Sequence, residues 1–537
     1  MTWGLSRRAL FASSAAGAGA ALLPTVPARA KPGPEPATGC ARYRADYHFT
    51  VPDQWKNDPQ RPVWIDGEYH CYYLYNADYL DGQVGTAWRL ATSTDLVSFT
   101  DRGIAVPKDT TVNSDVWSGS AVVDTGNTAG FGAGAVVAVV TMSPGGGTDR
   151  QEQFLYYSTD GGRTFTSHGT DPVLANPGVA DFRDPKVIRD DDHDRWVMAL
   201  AEGNKIGFYH SADLRSWTYA GGFVKDGIGV LECPDLFRIT ADDGTRKWVL
   251  GASADGTGSG QPNTYAYWTG SFDGHAFTAD SADPQWLDHG WDWYAAVTFE
   301  KRDAAGAPDP AARHALGWLN NWAYAHTTPT IDCDGFNGTD AIVREITLKK
   351  SAAGDYYLAS RPVAALDAYV SRTVRLGDLT VDGTRLLDHT GISYELTTEI
   401  TWSHLTGAGV QLRRSPDGGR HIDAGVYGDY AFVNRRGTAN PDTGGTRQES
   451  RTPFDPSAGR VRLRILVDRT SVEMFVDDGR YVHSAEVFPY LVDNRLALFS
   501  IGGPAVFRNT VIREFAVGGP RVSRSSRERY GRAPEGA

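Results

Sequence analysis

Cysteine is scarce: four in 537 residues, at positions 40, 71, 233 and 333. That is too few for a disulfide scaffold in a chain this long, and no spacing among them resembles a zinc site. The 13 histidines are scattered as well, so metal catalysis has little support and no cofactor is implied. One bridge is expected, Cys40 with Cys71, with Cys233 and Cys333 left reduced. Long apolar runs are also missing. Beyond residue 30 no stretch approaches the roughly 20 apolar residues that cross a bilayer. Amphipathic helical periodicity is nearly absent. Excess positive charge is absent too, the formal net charge being −12, which disfavours nucleic acid or an anionic membrane as partner.

What is present begins with a leader. Ser6-Arg7-Arg8-Ala9-Leu10-Phe11 precedes a short Ala/Gly/Leu-rich run ending in Ala28-Arg29-Ala30, the pattern of a twin-arginine export signal over residues 1–30. The remaining chain is then expected to be secreted, exported already folded. Loss of the leader removes three arginines and no acid, taking the formal charge from −12 to −15. A neutral polymer suits such a surface. The 15 tryptophans and 24 tyrosines point the same way, since aromatic faces stack on sugars, although most of them belong to the core.

The texture is β throughout, and a repeat organises the first part. Ser93-Thr94-Asp95 leads to Phe99, Ser158-Thr159-Asp160 to Phe165, Ser211-Ala212-Asp213 to Trp217, and Ser271-Phe272-Asp273 to Phe277; the four aspartates are 65, 53 and 60 residues apart. A Ser-x-Asp turn recurring at this interval and ending in an aromatic reads as the same hairpin in successive blades of a β-propeller. Four repeats, with room for another between Val297 and Lys349, predict five blades over residues 41–358. Further on, Val461, Leu463, Ile465 and Val467 alternate with Arg462 and Arg464, a half-buried strand, and turns at Asp468-Arg469-Thr470 and Asp477-Asp478-Gly479 follow. This spacing predicts a β-sandwich over 363–518. Residues 519–537 read as a disordered tail. The fold class is therefore all-β, a five-bladed β-propeller followed by a C-terminal β-sandwich.

Three short acidic signatures carry the chemistry: Trp55-Lys56-Asn57-Asp58-Pro59, Arg183-Asp184-Pro185 and Glu232-Cys233-Pro234-Asp235. Each alone is compatible with an ordinary turn, in which Asp caps amides and Pro presets φ. Together they fall on different blade segments: Asp58 before the first repeat, Asp184 between the second and third, Glu232 between the third and fourth. One acid at the start of each blade's first strand is the pattern of a shared funnel site. A retaining glycosidase needs one ionised carboxylate and one protonated carboxyl, roughly 5–5.5 Å apart.

These motifs resemble those of glycoside hydrolase family 32, the β-fructofuranosidases. Supporting matches are Trp117-Ser118-Gly119-Ser120, Trp291-Asp292-Trp293-Tyr294-Ala295, Gly317-Trp318-Leu319-Asn320-Asn321-Trp322, Arg344-Glu345 and Val472-Glu473-Met474-Phe475. The resemblance covers nearly the whole mature chain and implies a propeller followed by a sandwich. It implies Asp58 as nucleophile, Asp184 as a clamp on fructosyl hydroxyls, kept charged with help from Arg183, and Glu232 as acid/base, held neutral by burial and by the nearby carboxylates. It further implies substrate contacts from Trp55, Asn57, Gln60, Trp88, Trp117, Ser118, Arg183, Cys233, Trp293 and Trp322. For Asp235 a turn-capping role is expected rather than partnership with Glu232.

Departures from the family pattern bear on the substrate. The family usually has Met where Lys56 stands, Asn-Gly at Gln60-Arg61, Gln at Leu74, and His-Trp-Gly-His at Ala87-Trp88-Arg89-Leu90. Taken as borders of the entrance subsites, these positions resemble the levan-active branch, so β-2,6-fructan is the expected polymeric or oligomeric partner. A levan fructotransferase, which releases a cyclic difructose dianhydride from the same intermediate, is the alternative reading. A non-catalytic fructan-binding propeller stands behind it, and a sialidase-like reading lacks the arginine and tyrosine set it needs. Endo or exo action and oligomeric state are not set by the sequence.

Overall fold

The computed structural model describes residues 43–144, 150–255, 263–303, 305–438, 441, 443, 445–517 and 521–522. The leader at 1–30 and Cys40 lie outside the described residues. The architecture is a five-bladed propeller followed by a sandwich. Blade 1 is Gln54–Pro59, Glu68–Asn76, Ala87–Ser93 and Thr100–Val106; blade 2 is Asp115–Asp124, Ala135–Ser143, Glu152–Ser158 and Thr166–Ser167. Blade 3 is Arg183–Asp190, Arg195–Glu202, Lys205–Ser211 and Thr218–Val224; blade 4 is Leu231–Thr240, Arg246–Asp255, Asn263–Phe272 and Phe277–Ala279. Blade 5 is Tyr294–Arg302, Pro308–Trp318, Arg344–Lys350 and Tyr356–Pro362.

The Ser-x-Asp turn joins the third and fourth strands in blades 1 to 4. In the first, Ser93 Oγ accepts from the Leu96 amide at 2.7 Å, and Asp95 Oδ1 accepts from the Val97 and Ser98 amides at 2.9 Å. Short polar side chains thereby replace the ladder bonds that the backbone loses at the bend. The aromatic that follows packs between blades: Phe165 of blade 2 meets Tyr72 of blade 1 at 5.6 Å between centroids, and Phe277 of blade 4 meets Phe223 of blade 3 at 5.7 Å. In blade 5 the equivalent turn runs from Ser351 to Asp355, with the Asp355 amide donating to Ser351 Oγ at 3.1 Å. It escapes the repeat because its spacing differs.

The ring closes between blades 5 and 1. Phe336–Asn337 pair in parallel with Gln54–Trp55, and the Lys56 ammonium forms an ion pair with Asp340. Lys56 is wholly buried and also donates to the Asn57 carbonyl at 3.1 Å. It is therefore a clasp of the closure, not an entrance residue as its position beside the first acidic signature suggested.

The second domain is one hydrogen-bonded sheet of ten strands folded on itself. Two 21-residue strands, Val370–Thr390 and Arg495–Phe515, pair along their length with several register shifts. Arg495–Phe515 pairs with Gly407–Arg414 near its start and with Tyr394–Thr401 near its end. Bulges let such strands turn from one layer into the other. Val461, Leu463, Ile465 and Val467 point into the apolar core between the layers, as their alternation predicts. Two residues of the segment read as a disordered tail are paired: Arg521–Val522 run parallel to Thr100–Asp101 of blade 1.

A buried ionic seam joins the domains. His48 Nδ1 lies 2.9 Å from Asp468 Oδ2 and His48 Nε2 lies 2.9 Å from Glu473 Oε1. Arg344 of blade 5 reaches Glu473 and Asp288, each at 2.8 Å. The expected Cys40–Cys71 bridge falls on Cys40, which lies outside the described residues. Cys71 is a free thiol, buried in the blade 1 core among Tyr69, Tyr73 and Phe49, and burial holds it protonated.

Candidate active site

Each innermost strand carries a β-bulge near its start. Register shifts fall between Lys56 and Pro59, Val116 and Gly119, Arg183 and Lys186, Glu232 and Asp235, and Tyr294 and Val297. A bulge frees a residue from the ladder and turns its side chain toward the axis. The prolines of the acidic signatures, Pro59, Pro185 and Pro234, belong to these bulges, where a missing N–H does the least harm. Asp184, Cys233 and Ala295 adopt φ of 65°, 48° and 47°. Such left-handed backbone in non-glycine residues costs of the order of 1–3 kcal/mol each and persists where the surrounding fold enforces it. Gly119 is required for a different reason: a Cβ there would lie 2.3 Å from the Val139 carbonyl oxygen.

The five bulges converge on one pocket of about 380 Å³. Blade 1 brings Asp58, blade 2 Ser118, blade 3 Arg183 and Asp184, blade 4 Glu232 and Cys233, and blade 5 Tyr294. Asp58 Oδ2 accepts from Ser118 Oγ at 2.7 Å and Oδ1 accepts from Asn57 Nδ2 at 3.0 Å. Asp184 Oδ2 accepts from the Cys233 amide at 2.9 Å. The Cys233 thiol stands between the two aspartates, its Sγ 3.9 Å from Asp58 Oδ2 and 3.7 Å from Asp184 Oδ2. Glu232 Oε1 accepts from Arg183 Nη2 at 3.0 Å, and Oε2 accepts from the Tyr294 hydroxyl at 2.5 Å. Arg183 thus binds Glu232 rather than principally Asp184, whose Oδ2 is 3.9 Å from its Nε.

Burial, followed by the negative charge of Asp184, pushes Asp58 up to about 6, against the hydrogen bond from Ser118. Burial also raises Asp184, with Arg183 pulling the other way. Three carboxyls at one focus titrate as a group, and protonation of one eases ionisation of the others.

Of the other residues picked out in the sequence, Trp55, Asn57, Trp117, Ser118, Arg183, Cys233 and Trp322 line the pocket. Gln60, Trp88 and Trp293 do not. Gln60 is buried and cross-links blades 1 and 2, accepting from the Gly119 amide at 2.8 Å and donating to the Asp58 carbonyl at 3.1 Å. Trp88 is wholly buried, and its indole N–H holds the Trp117 carbonyl at 2.9 Å. Trp293 is wholly buried under the Arg344 guanidinium, 4.5 Å above its ring. These three shape the pocket from behind, where a large side chain fills the space between blades.

Among the departing positions, Leu74 faces the pocket, whereas Arg61 is buried behind it, donating to the Gly119 carbonyl at 2.7 Å and the Pro234 carbonyl at 2.6 Å. Arg89 is bound to Asp101 at 2.8 Å. Asp235 is no turn cap: it accepts from the Thr298 amide at 2.8 Å and lies 3.4 Å from Lys186 Nζ, tying blades 3, 4 and 5 together. Sequence reasoning missed Tyr294 as a site residue, although it opens the fifth inner strand and so occupies the place that the acids hold in blades 1, 3 and 4. It also missed Tyr79 and His326, which come from loops without a motif.

Comparison with known proteins agrees with this geometry. Residues 48–362 match the N-terminal domain of glycosyl hydrolases family 32, and residues 366–514 match the family's C-terminal domain. The chain is 52% identical to the levanbiose-producing levanase of Bacillus subtilis (strain 168) over 475 residues, 88% of this chain and 91% of that one. It is 52% identical to the levanbiose-producing levanase of Geobacillus stearothermophilus over 400 residues, 74% of this chain and all of that one. The crystal structure of an exo-inulinase from Aspergillus awamori superposes with a TM-score of 0.78 at 26% identity, covering 89% of this chain and 99% of that chain. With both domain models matched in order along residues 48–514 and the site assembled from the inner strands of all five blades, the chain belongs to glycosyl hydrolase family 32.

Proposed function

We propose that this chain is a secreted retaining hydrolase of β-2,6-linked fructan that releases levanbiose, acting by double displacement. The observation that carries the reading is the convergence of Asp58, Asp184 and Glu232 from three inner strands around Cys233. Its substrate follows from the levanbiose-producing levanases that are 52% identical to it.

Asp58 attacks the anomeric C2 of a fructosyl unit while Glu232 protonates the departing oxygen, and water then enters with Glu232 as base. Ser118 and Asn57 orient the attacking carboxylate. Asp184, aimed by the Cys233 amide, binds hydroxyls that tighten as the ring flattens toward an oxocarbenium ion. A guanidinium only donates, whereas a phenol both donates and accepts. Glu232 can therefore carry its proton on Oε2 and keep Tyr294 as a partner. The leader at 1–30 supports export by the twin-arginine route.

Product analysis of the purified protein on levan tests this reading. Levanbiose is expected, with Asp58→Asn and Glu232→Gln each losing about 10³-fold or more in kcat. A cyclic difructose dianhydride as sole product would mean that a sugar hydroxyl replaces water. Equal rates on inulin would remove the β-2,6 assignment, and full hydrolysis by Glu232→Gln would remove the proton donor.

A further inference from the structure

The pocket has an aromatic wall that the acid chemistry does not use. Trp55 stands beside Asp58 on the inner strand of blade 1 and is nearly covered, its indole N–H donating to Asn57 Oδ1 at 3.1 Å. The Tyr79 ring stacks on Trp55 at 4.9 Å and 30°, and the His326 ring stacks on it at 4.5 Å and 15°. Tyr79 and His326 are only 6.0 Å apart and tilted by 23° to each other. Two rings that both stack on Trp55 yet stay this close lie side by side on the same face of the indole. Their edges are joined by a 3.1 Å hydrogen bond between the Tyr79 hydroxyl and His326 Nδ1.

Tyr79 belongs to the loop between Glu68–Asn76 and Ala87–Ser93 of blade 1, and His326 to the loop after Pro308–Trp318 of blade 5. The two loops therefore meet across the pocket edge. The outer anchor on the blade 1 side is equally local, the Leu80 amide donating to Gln54 Oε1 at 2.9 Å. Both rings face the pocket, and His326 is exposed at its rim. The wall thus runs from Trp55, on the strand that carries Asp58, to the exposed rim at His326, where the Tyr79–His326 hydrogen bond ties the two loops together. A chain end entering the pocket would meet it there, with apolar ring faces available to the C–H face of a sugar.

We propose that Tyr79 and His326 form a binding platform for the terminal fructosyl unit, the one whose own linkage is left intact, and so set the released product at two units. The inference rests on the levanbiose-releasing reading above. The unit next to the acids is held by Asp58, Asp184 and Glu232, and the distal unit lies against the paired rings. Product length is then a matter of where the wall ends, separate from the chemistry of bond cleavage.

The experiment compares wild type, Tyr79→Ala/His326→Ala and Tyr79→Phe/His326→Phe on levan by chromatography of the early products, alongside an aryl β-fructofuranoside that occupies the acid end alone. With the rings removed, the levanbiose share is expected to fall at least fivefold in favour of other chain lengths. The loss of kcat/KM on levan should exceed the loss on the aryl fructoside about tenfold. The Phe pair, which keeps both ring faces, is expected to retain levanbiose as product. Unchanged levanbiose release by the Ala pair, or an equal loss on both substrates, overturns the platform while leaving the proposed function standing. Wild-type enzyme releasing no levanbiose overturns that function and the platform with it.

Discussion

The Tyr294 hydroxyl donates to Glu232 Oε2 at 2.5 Å, while Arg183 occupies the other oxygen, Oε1, at 3.0 Å. Tyr294 is therefore a partner that Glu232, the proposed acid/base, can keep in both protonation states. Tyr294→Phe is expected to lower kcat on levan about 10–100-fold, short of the roughly 10²–10⁴-fold of a whole general acid contribution. An aryl fructoside whose leaving group departs without a proton should lose far less. Equal losses on the two substrates would assign Tyr294 to packing alone.

The acid limb of the pH–rate profile follows from Asp58. Held at about 6 by burial and by the charge of Asp184, it is mostly protonated below that pH, where the proposed nucleophile would be unable to attack. The value of kcat/KM should then fall about tenfold per pH unit on the acid side. Two variants test the sign. Ser118→Ala removes a hydrogen bond that favours the carboxylate and should move the limb to higher pH. Asp184→Asn removes a neighbouring negative charge and should move it to lower pH, on a reduced maximum. Shifts in the same direction would disconnect the limb from Asp58.

His48 at the domain seam yields a stability profile. Burial lowers its pKa, but the hydrogen bonds it donates to Asp468 and Glu473 outweigh that and raise it to about 9. Both carboxyls, despite their burial, are pulled down to about 2 by His48. A histidine raised on folding stabilises fully below its ordinary pKa near 6.5, and that stabilisation is lost as pH rises through about 9. Carboxyls lowered on folding stabilise above their ordinary range and lose that contribution as pH falls toward about 2. The thermal midpoint should therefore be highest between about pH 5 and 6.5. By pH 9 the loss should amount to about 2–3 kcal/mol. His48→Gln, measured by calorimetry across this range, should flatten the alkaline decline.

The fold was legible because its local chemistry repeats. Four Ser-x-Asp turns with a trailing aromatic mark the outer hairpins of four blades, and alternation from Val461 to Val467 marks a sandwich strand. The clustering of the three acids was legible because the bulges of blades 1, 3 and 4 each carry a proline one or two residues after the acid, which leaves a short signature that the Tyr294–Val297 bulge of blade 5 lacks. Trp88 and Trp293 were misplaced because a tryptophan filling the gap between blades and one lining a pocket look alike in sequence; only their rotation about the strand distinguishes them. Tyr79 and His326 were invisible for the opposite reason. Their meeting depends on two loops about 250 residues apart, brought together by ring closure, and no local pattern encodes it.

Lys56 illustrates how proximity to a signature can mislead, and it supplies the last test. Standing between Trp55 and Asn57, it resembled a specificity position. Its side chain instead turns away from the pocket to Asp340, in the segment that closes blade 5 on blade 1. Burial lowers its pKa and Asp340 raises it, with a smaller contribution from Asp58, so the ammonium depends chiefly on Asp340. Lys56→Met, the residue usual in the family, strands Asp340 as an unpaired buried acid. Removing one partner of a buried pair costs about 3–5 kcal/mol. A fall in thermal midpoint is therefore expected, with the ratio of rates on levan and sucrose little changed. Lys56→Met/Asp340→Asn should recover much of the stability, because neither partner then carries a charge. If Lys56→Met instead shifted the levan-to-sucrose ratio without loss of stability, the residue would act on substrate choice and the clasp assignment would be wrong.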